Sequence, residues 1–311
     1  MTRFRIPLCN KEYTASYNLV FNFVQEVVPK LQPYENHDLT ATKQWEIGMM
    51  LSTEPTKQIA FCHVPKSSST TWMNAFGSMN HIKVGTVATY HKVASPNISI
   101  HATTYYDMKL LNKLPQFKFI FVRHPFERLG SHFHMLYYQI YYPNKIQKKW
   151  KEHLLRVQQK LVDYEIRHMN KLEKDTKNET LFQRFVDLVI HQVSTTKDTD
   201  PILQTHIWPY TILCRACLVS YDFIGHVETF DDDIQKIADR FPENQVLQEM
   251  RHSKRLNCRS NCQLNDLSSK YESDYKQLKQ ETIVRLYKIY KNDFEFGGYD
   301  YPHIYMGYGI P

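Results

Sequence analysis

The run Pro65-Lys66-Ser67-Ser68-Ser69-Thr70-Thr71-Trp72 packs three serines, two threonines and a lysine into eight residues. It follows Gln58-Ile59-Ala60-Phe61-Cys62-His63-Val64, a short apolar segment that reads as a buried strand bounded by Pro65. Thr71 to Met79 then reads as a helix with Thr70 as its cap. A loop between a buried strand and a helix start offers main-chain N–H groups and the positive end of the helix dipole to an anion. The hydroxyls add donors and Lys66 adds a full charge, so these residue types at this spacing describe a phosphate cradle. It is not a P-loop, because the glycines and the trailing Gly-Lys-Ser/Thr are missing.

A second loop has the same grammar. Phe117-Lys118-Phe119-Ile120-Phe121-Val122 reads as a strand, Arg123-His124-Pro125 as a loop, and Phe126 to about Tyr138 as a helix. An arginine at a strand end can fork onto a phosphate, and Ser131, about two helical turns further on, can add a hydroxyl. The plainer alternative pairs Arg123 with Glu127 on the surface. Two such loops on neighbouring parallel strands suit a nucleotide that carries phosphate at two separate positions.

The elements that must position these loops form an α/β fold with a parallel sheet, where ligands bind beyond the carboxyl ends of the strands. Residues 16–31 carry Leu19, Phe23, Val27 and Leu31 at helical spacing, and 143–177 reads as a long amphipathic helix. Phe182 to His191 reads as a helix, 218–224 as a strand, and Asp231-Asp232-Asp233 as the start of a helix through Ile237 and Phe241. A last helix spans Ser273 to Tyr290 and closes on the aromatic-rich 293–299. With no repeat or linker, the chain reads as a single domain over 57–302, between a variable arm at 1–56 and a tail at 303–311.

The 311 residues carry a net charge of +7, 14% aromatics and few glycines, which excludes disordered, collagen-like and low-complexity classes. Residues 143–177 hold ten Lys/Arg against five Asp/Glu, a basic stretch suited to a polyanion or simply a solvated helix face. No apolar run approaches the ~20 residues of a membrane helix. Six cysteines (Cys9, Cys62, Cys214, Cys217, Cys258, Cys262) permit complete pairing in an oxidising lumen but leave the connectivity open. About forty residues separate Cys214/Cys217 from Cys258/Cys262, which argues against a compact zinc site and for disulfides or buried thiols. Asn97-Ile98-Ser99 and Asn178-Glu179-Thr180 are glycosylation sequons.

Taken together, Lys66 to Trp72 resembles the 5′-phosphosulfate loop of sulfotransferases, and Phe119 to Ser131 resembles their 3′-phosphate loop. The segments His206-Ile207-Trp208-Pro209-Tyr210, Leu213 to Cys217, Tyr221 to Gly225 with Glu228, and Tyr290 with Asp293-Phe294 are similar to the Golgi carbohydrate sulfotransferases. That group includes the HNK-1 and chondroitin/dermatan 4-O-sulfotransferases. The resemblance implies a fold related to P-loop nucleotide kinases and a donor, 3′-phosphoadenosine 5′-phosphosulfate (PAPS), with no metal. It implies a glycan acceptor of the chondroitin/dermatan or glucuronyl class, no nucleic acid, and a glycoprotein of the Golgi lumen working in proteoglycan biosynthesis. By that resemblance Lys66 is catalytic and Lys66 to Thr71 (Lys66, Ser67, Ser68, Ser69, Thr70, Thr71) bind the 5′-phosphate, while Arg123 and Ser131 bind the 3′-phosphate. Trp72 either stacks on adenine or packs under the loop.

Sulfuryl transfer also needs a base for the acceptor's proton. His206 is the first choice, with His63, His91, His124 and Glu127 as alternatives. The chain departs from the family pattern at Ser69, where a cysteine is usual, and at His132, where alanine is usual. The basic helix at 143–177 is longer than the family's equivalent, and the expected amino-terminal type II membrane anchor is not seen. A catalytically degenerate member that only binds acidic glycans is the alternative function, and a kinase-like phosphoryl transferase lacks its P-loop glycines. The oligomeric state and the sugar hydroxyl modified stay open.

Overall fold

The computed structural model describes residues 49–53, 56, 58–82, 99–102, 113, 116–135, 180–195, 205–216, 218–252 and 271–300. The expected helices at 16–31 and 143–177, the asparagines of both sequons, the 303–311 tail, His91, Cys9, Cys217, Cys258 and Cys262 lie outside the described residues. In chain order the elements are β1 (Met49–Thr53), β2 (Ile59–Cys62), α1 (Ser69–Met79), β3 (Ser99–Ala102), β4 (Phe117–Val122) and α2 (Pro125–Phe133). Then come α3 (Leu181–Thr195), α4 (Tyr210–Leu213), β5 (Phe223–His226), α5 (Phe230–Arg240), α6 (Gln245–Met250), α7 (Glu272–Tyr275) and α8 (Gln280–Gly297). The chain forms two compact units, Met1–Val122 with Tyr210–Asn261, and Arg123–Pro209 with Cys262–Pro311.

The first unit holds a five-stranded sheet in the order β3-β1-β2-β4-β5. β2, β4 and β5 are parallel, with Cys62 beside Ile120 and Val122 beside His226. β1 pairs antiparallel with both β2 and β3. The expected parallel sheet is therefore one side of it, from β2 to the edge strand β5, and the whole sheet is mixed. Alternation puts Ile59, Phe61, Phe117, Phe119 and Phe121 into one core with Trp72 and Phe76 of α1 and Phe230 of α5. Phe61 lies 5.1 Å from Phe119 and Trp72 4.6 Å from Phe119, an aromatic pack that holds α1 on the sheet. Every residue of β2 and β4 is buried, which is why both strands read as continuous apolar runs.

The start of β5 departs from expectation. The 218–224 run begins as turns, with Leu218 and Val219 N–H both donating to Arg215 O, and the strand starts only at Phe223. Arg215 takes φ 49° there, and the Tyr221 hydroxyl closes the turn by donating to Cys214 O at 2.6 Å. A disulfide joins Cys62, the last residue of β2, to Cys214 across 152 residues of sequence. It removes the alternative of Cys214 as a zinc ligand.

The second unit packs α2, α3, α7 and α8 around Phe126, Phe133, Phe182, Phe185, Tyr275 and Leu286. Ile283, Leu286, Tyr290 and Phe294 form the inward stripe of α8 at helical spacing. The expected single helix from Ser273 is two, α7 and α8. Tyr275 turns inward to stack on Phe126 at 5.0 Å and donate to its carbonyl, and Lys279 N–H donates to Gln183 Oε1. Gly298, at φ 64°, ends α8 as Gly298 and Tyr299 N–H donate to Glu295 and Phe294 carbonyls.

Candidate active site

The loop after β2 is a turn closed by Ser67 N–H donating to Val64 O at 3.2 Å. Lys66 and Ser68 adopt φ of 69° and 59°, the left-handed region that costs a non-glycine residue about 1–2 kcal/mol each. Ser67 between them does not, so φ alternates in sign along the turn, while Ser67 N–H is taken up by Val64 O. Two strained residues in three persist only where the surroundings over-determine them, and such strain clusters at ligand clamps.

Helix α1 begins at Ser69, two residues earlier than the sequence suggests, with Ser68 rather than Thr70 at the cap position. Its first turn contains no acidic residue, and no side chain caps it. The first bond to the cap is Trp72 N–H to Ser68 O, which directs the N–H groups of Ser69, Thr70 and Thr71 beyond the helix start. Ser67 is completely buried, and its hydroxyl has no hydrogen-bond partner among the described residues. Leaving a buried hydroxyl so costs about 1–3 kcal/mol. The orphaned Ser67 hydroxyl and outward N–H groups fit a tetrahedral oxyanion such as a phosphate.

Helix α5 shows the contrast. Asp231, Asp232 and Asp233 fill its first turn. The Asp233 carboxylate accepts from His226 N–H, the Thr229 hydroxyl and Lys236. Burial opposes its charge, yet these bonds hold the carboxyl well below the usual range. At α5 the chain supplies its own anion; at α1 it does not.

β4 runs parallel to β2, and the chain passes from Val122 directly into Arg123. Arg123 is buried, with one nitrogen 3.4 Å from Glu127 Oε2 and its guanidinium 5.8 Å from the centre of the Tyr271 ring. The Arg123–Glu127 pair therefore exists, but inside the unit and not on its surface. Ser131 sits one turn after Glu127 and is partly exposed, flanked by buried Gly130 and His132. Gly130 is required by close approach: a Cβ there would lie 2.6 Å from the Tyr271 ring.

His124 caps α2, accepting Glu127 N–H on Nδ1. Burial, and then the charge of Arg123, pull its pKa from 6.5 down to about 4, so it is neutral near pH 7. Phe294 and Tyr299 pack edge-on against its ring. His63 is buried in the first unit, with Nε2 2.5 Å from the buried Ser52 hydroxyl. Glu127 is buried against Arg123.

His206 is partly exposed, and its ring stacks on that of fully buried His132 at 4.9 Å. Its Nδ1 lies 3.2 Å from the Thr205 hydroxyl. Arg128 donates to Trp208 O and Thr205 O, and Tyr290 donates to Ile207 O. Neither Arg128 nor Tyr290 was a candidate from the sequence, although Arg128 stands inside the second motif. Of the two readings of Trp72 the structure favours packing: its side chain is fully buried among Phe61, Phe119, Phe121 and Phe230.

The model of the sulfotransferase family matches residues 49–301, spanning both loops and the His206 segment. The chain belongs to that family. It is 26% identical over 255 residues to carbohydrate sulfotransferase 10 of Xenopus laevis, covering 79% of this chain and 66% of that protein. Carbohydrate sulfotransferase 10 of Homo sapiens is 25% identical over 264 residues, covering 79% and 65%. Carbohydrate sulfotransferase 14 of Danio rerio is 27% identical over 208 residues, covering 60% and 48%. The chain thus spans about two thirds of the length of the first of these relatives. No solved structure matches it.

Proposed function

We propose that this chain moves the sulfuryl group of PAPS to a hydroxyl of a glycan, of the glycosaminoglycan or glucuronyl type. The observation that carries the reading is the strained turn at Lys66–Ser68, with its orphaned Ser67 hydroxyl and acid-free helix start, in a chain of the sulfotransferase family. PAPS supplies an activated sulfuryl group and a stable bisphosphate leaving group. The Lys66 ammonium offsets charge growing on the leaving phosphate oxygen, an electrostatic contribution worth about 2.7–4 kcal/mol for one such donor. Ser67, Ser68, Ser69, Thr70 and Thr71 hold the 5′-phosphate through main-chain N–H groups and hydroxyls. Arg123 and Ser131 hold the 3′-phosphate.

His206 takes the acceptor proton as the new oxygen–sulfur bond forms and the sulfur–oxygen bond to the phosphate breaks. Of the alternatives in the described residues, His63 is buried with Nε2 beside the Ser52 hydroxyl, burial pulls His124 down to about 4, and Glu127 is committed to Arg123. The relation to nucleotide kinases belongs to the same proposal, supported by two parallel strand–loop–helix passages. A lumenal, oxidising site of action such as the Golgi is supported by the Cys62–Cys214 disulfide. No described helix is long and apolar enough to cross a membrane.

The test is transfer of labelled sulfate from PAPS to desulfated chondroitin, dermatan and glucuronyl glycans, with calorimetry of adenosine 3′,5′-bisphosphate beside it. Product on one acceptor, lost in Lys66→Ala, is the expected result. Salt-sensitive glycan binding without transfer or bisphosphate affinity would replace this reading with that of a glycan-binding protein.

A further inference from the structure

The strongest unused polar groups in the second unit are Arg128 and Tyr290, 1% and 0% exposed. Both direct their donors at one short segment. Arg128 Nη1 donates to Trp208 O at 2.8 Å and Nη2 to Thr205 O at 3.2 Å, and the Tyr290 hydroxyl donates to Ile207 O. Three of the four carbonyls from Thr205 to Trp208 are thus held by side chains of α2 and α8. Burying a guanidinium is expensive, and an apolar side chain of similar volume often stabilises a core as well or better. Packing alone therefore does not account for an arginine here.

The segment it grips carries one titratable side chain, His206. Its ring is held in turn by the stacked His132 ring and by the Thr205 hydroxyl. The backbone and the ring are fixed by separate sets of contacts, as a proton acceptor set to a particular geometry requires. We infer that Arg128 and Tyr290 are positioning residues for His206, acting on its backbone and not on the substrate. The inference rests on the proposed reading of His206 as the base.

The experiment is a double-mutant cycle on transfer from PAPS, joined to imidazole NMR of the same variants. Tyr290→Phe keeps the ring in the core and deletes one donor. Arg128→Lys keeps the charge but not the fork that spans two carbonyls. Each is expected to lower kcat about tenfold or more, with KM for PAPS within twofold of the parent. In a His206→Ala background each should change kcat less than twofold, because the residue they act through is gone. The His206 ring signals should shift in both variants while those of His63, on the other unit, stay in place.

Equal losses with and without His206, or a His206 spectrum indifferent to Tyr290→Phe, overturn the positioning role. A His206→Ala variant as active as the parent sinks the base assignment instead. If no transfer is seen at all, the spectra still decide whether the two residues hold His206.

Discussion

The Cys62–Cys214 disulfide supports a quantitative prediction. It ties the carboxyl end of β2 to the end of α4, across a sequence separation of 152 residues. In the chain-entropy picture, closing a loop of that length removes about 17 cal/mol/K from the unfolded ensemble, or ~5 kcal/mol at 25 °C. Both cysteines are buried, at 1% and 0% exposure, so a reductant reaches the bond only through local opening. The clean perturbation is therefore the pair Cys62→Ala with Cys214→Ala, which avoids leaving a reactive thiol. Domains of this size are stable by about 5–15 kcal/mol, so the loss is a large fraction of the total.

Urea unfolding followed by tryptophan fluorescence should show a midpoint far below the parent's. The m-value should rise, because the freed unfolded chain is more expanded. Bisphosphate affinity measured well below the midpoint should change less than threefold, since β2 is paired to β1 on one side and β4 on the other independently of the bond. A stability difference under 1 kcal/mol would refute the reasoning, showing that the bond constrains little that the fold does not already constrain.

Three further outcomes follow from the geometry. Lys66→Gly removes the side chain from a left-handed residue, so it should stabilise the fold by about 1 kcal/mol in chemical denaturation while transfer falls at least a hundredfold; a variant that loses stability would contradict the strain argument. His124 titrates at about 4 in the folded chain against 6.5 unfolded. Protons bind preferentially to the unfolded chain between those values, so stability is full above 6.5, falls as pH drops through the window and levels off below 4, by about 3 kcal/mol in total. His124→Asn keeps a capping side chain and should flatten that part of the pH–stability curve; an unchanged slope would reassign it. Gly225→Ala places a Cβ 2.6 Å from the Phe121 ring of the neighbouring strand and should cost about 1–3 kcal/mol, read as a lowered melting temperature.

What could be read without the structure was local. β4 was legible residue for residue, and β2 nearly so, because burial on both faces leaves an apolar run with no competing period. The place of the serine-rich loop was legible as well: its hydroxyls, its lysine and a helix start form one uninterrupted stretch of chain. The boundary of β5 was not, because Leu218 to Tyr221 is apolar enough for a strand and is made into turns by bonds to Arg215 and Cys214.

The serine-rich loop and the Arg123–Ser131 motif could be read from residue types at short spacing, since neighbours in sequence are neighbours in any fold, and the donor chemistry proposed for them rests on those types. Four things were decided by tertiary structure. The left-handed turns at Lys66 and Ser68 carry no glycine to announce them. Trp72 is core because the aromatic faces of β2, β4 and α5 surround it. Cys62 meets Cys214, and Arg128 and Tyr290 meet the His206 segment, over separations of 152, 77–80 and 83 residues. Such pairings depend on how strands and helices stack to exclude water, which no local pattern of residues encodes.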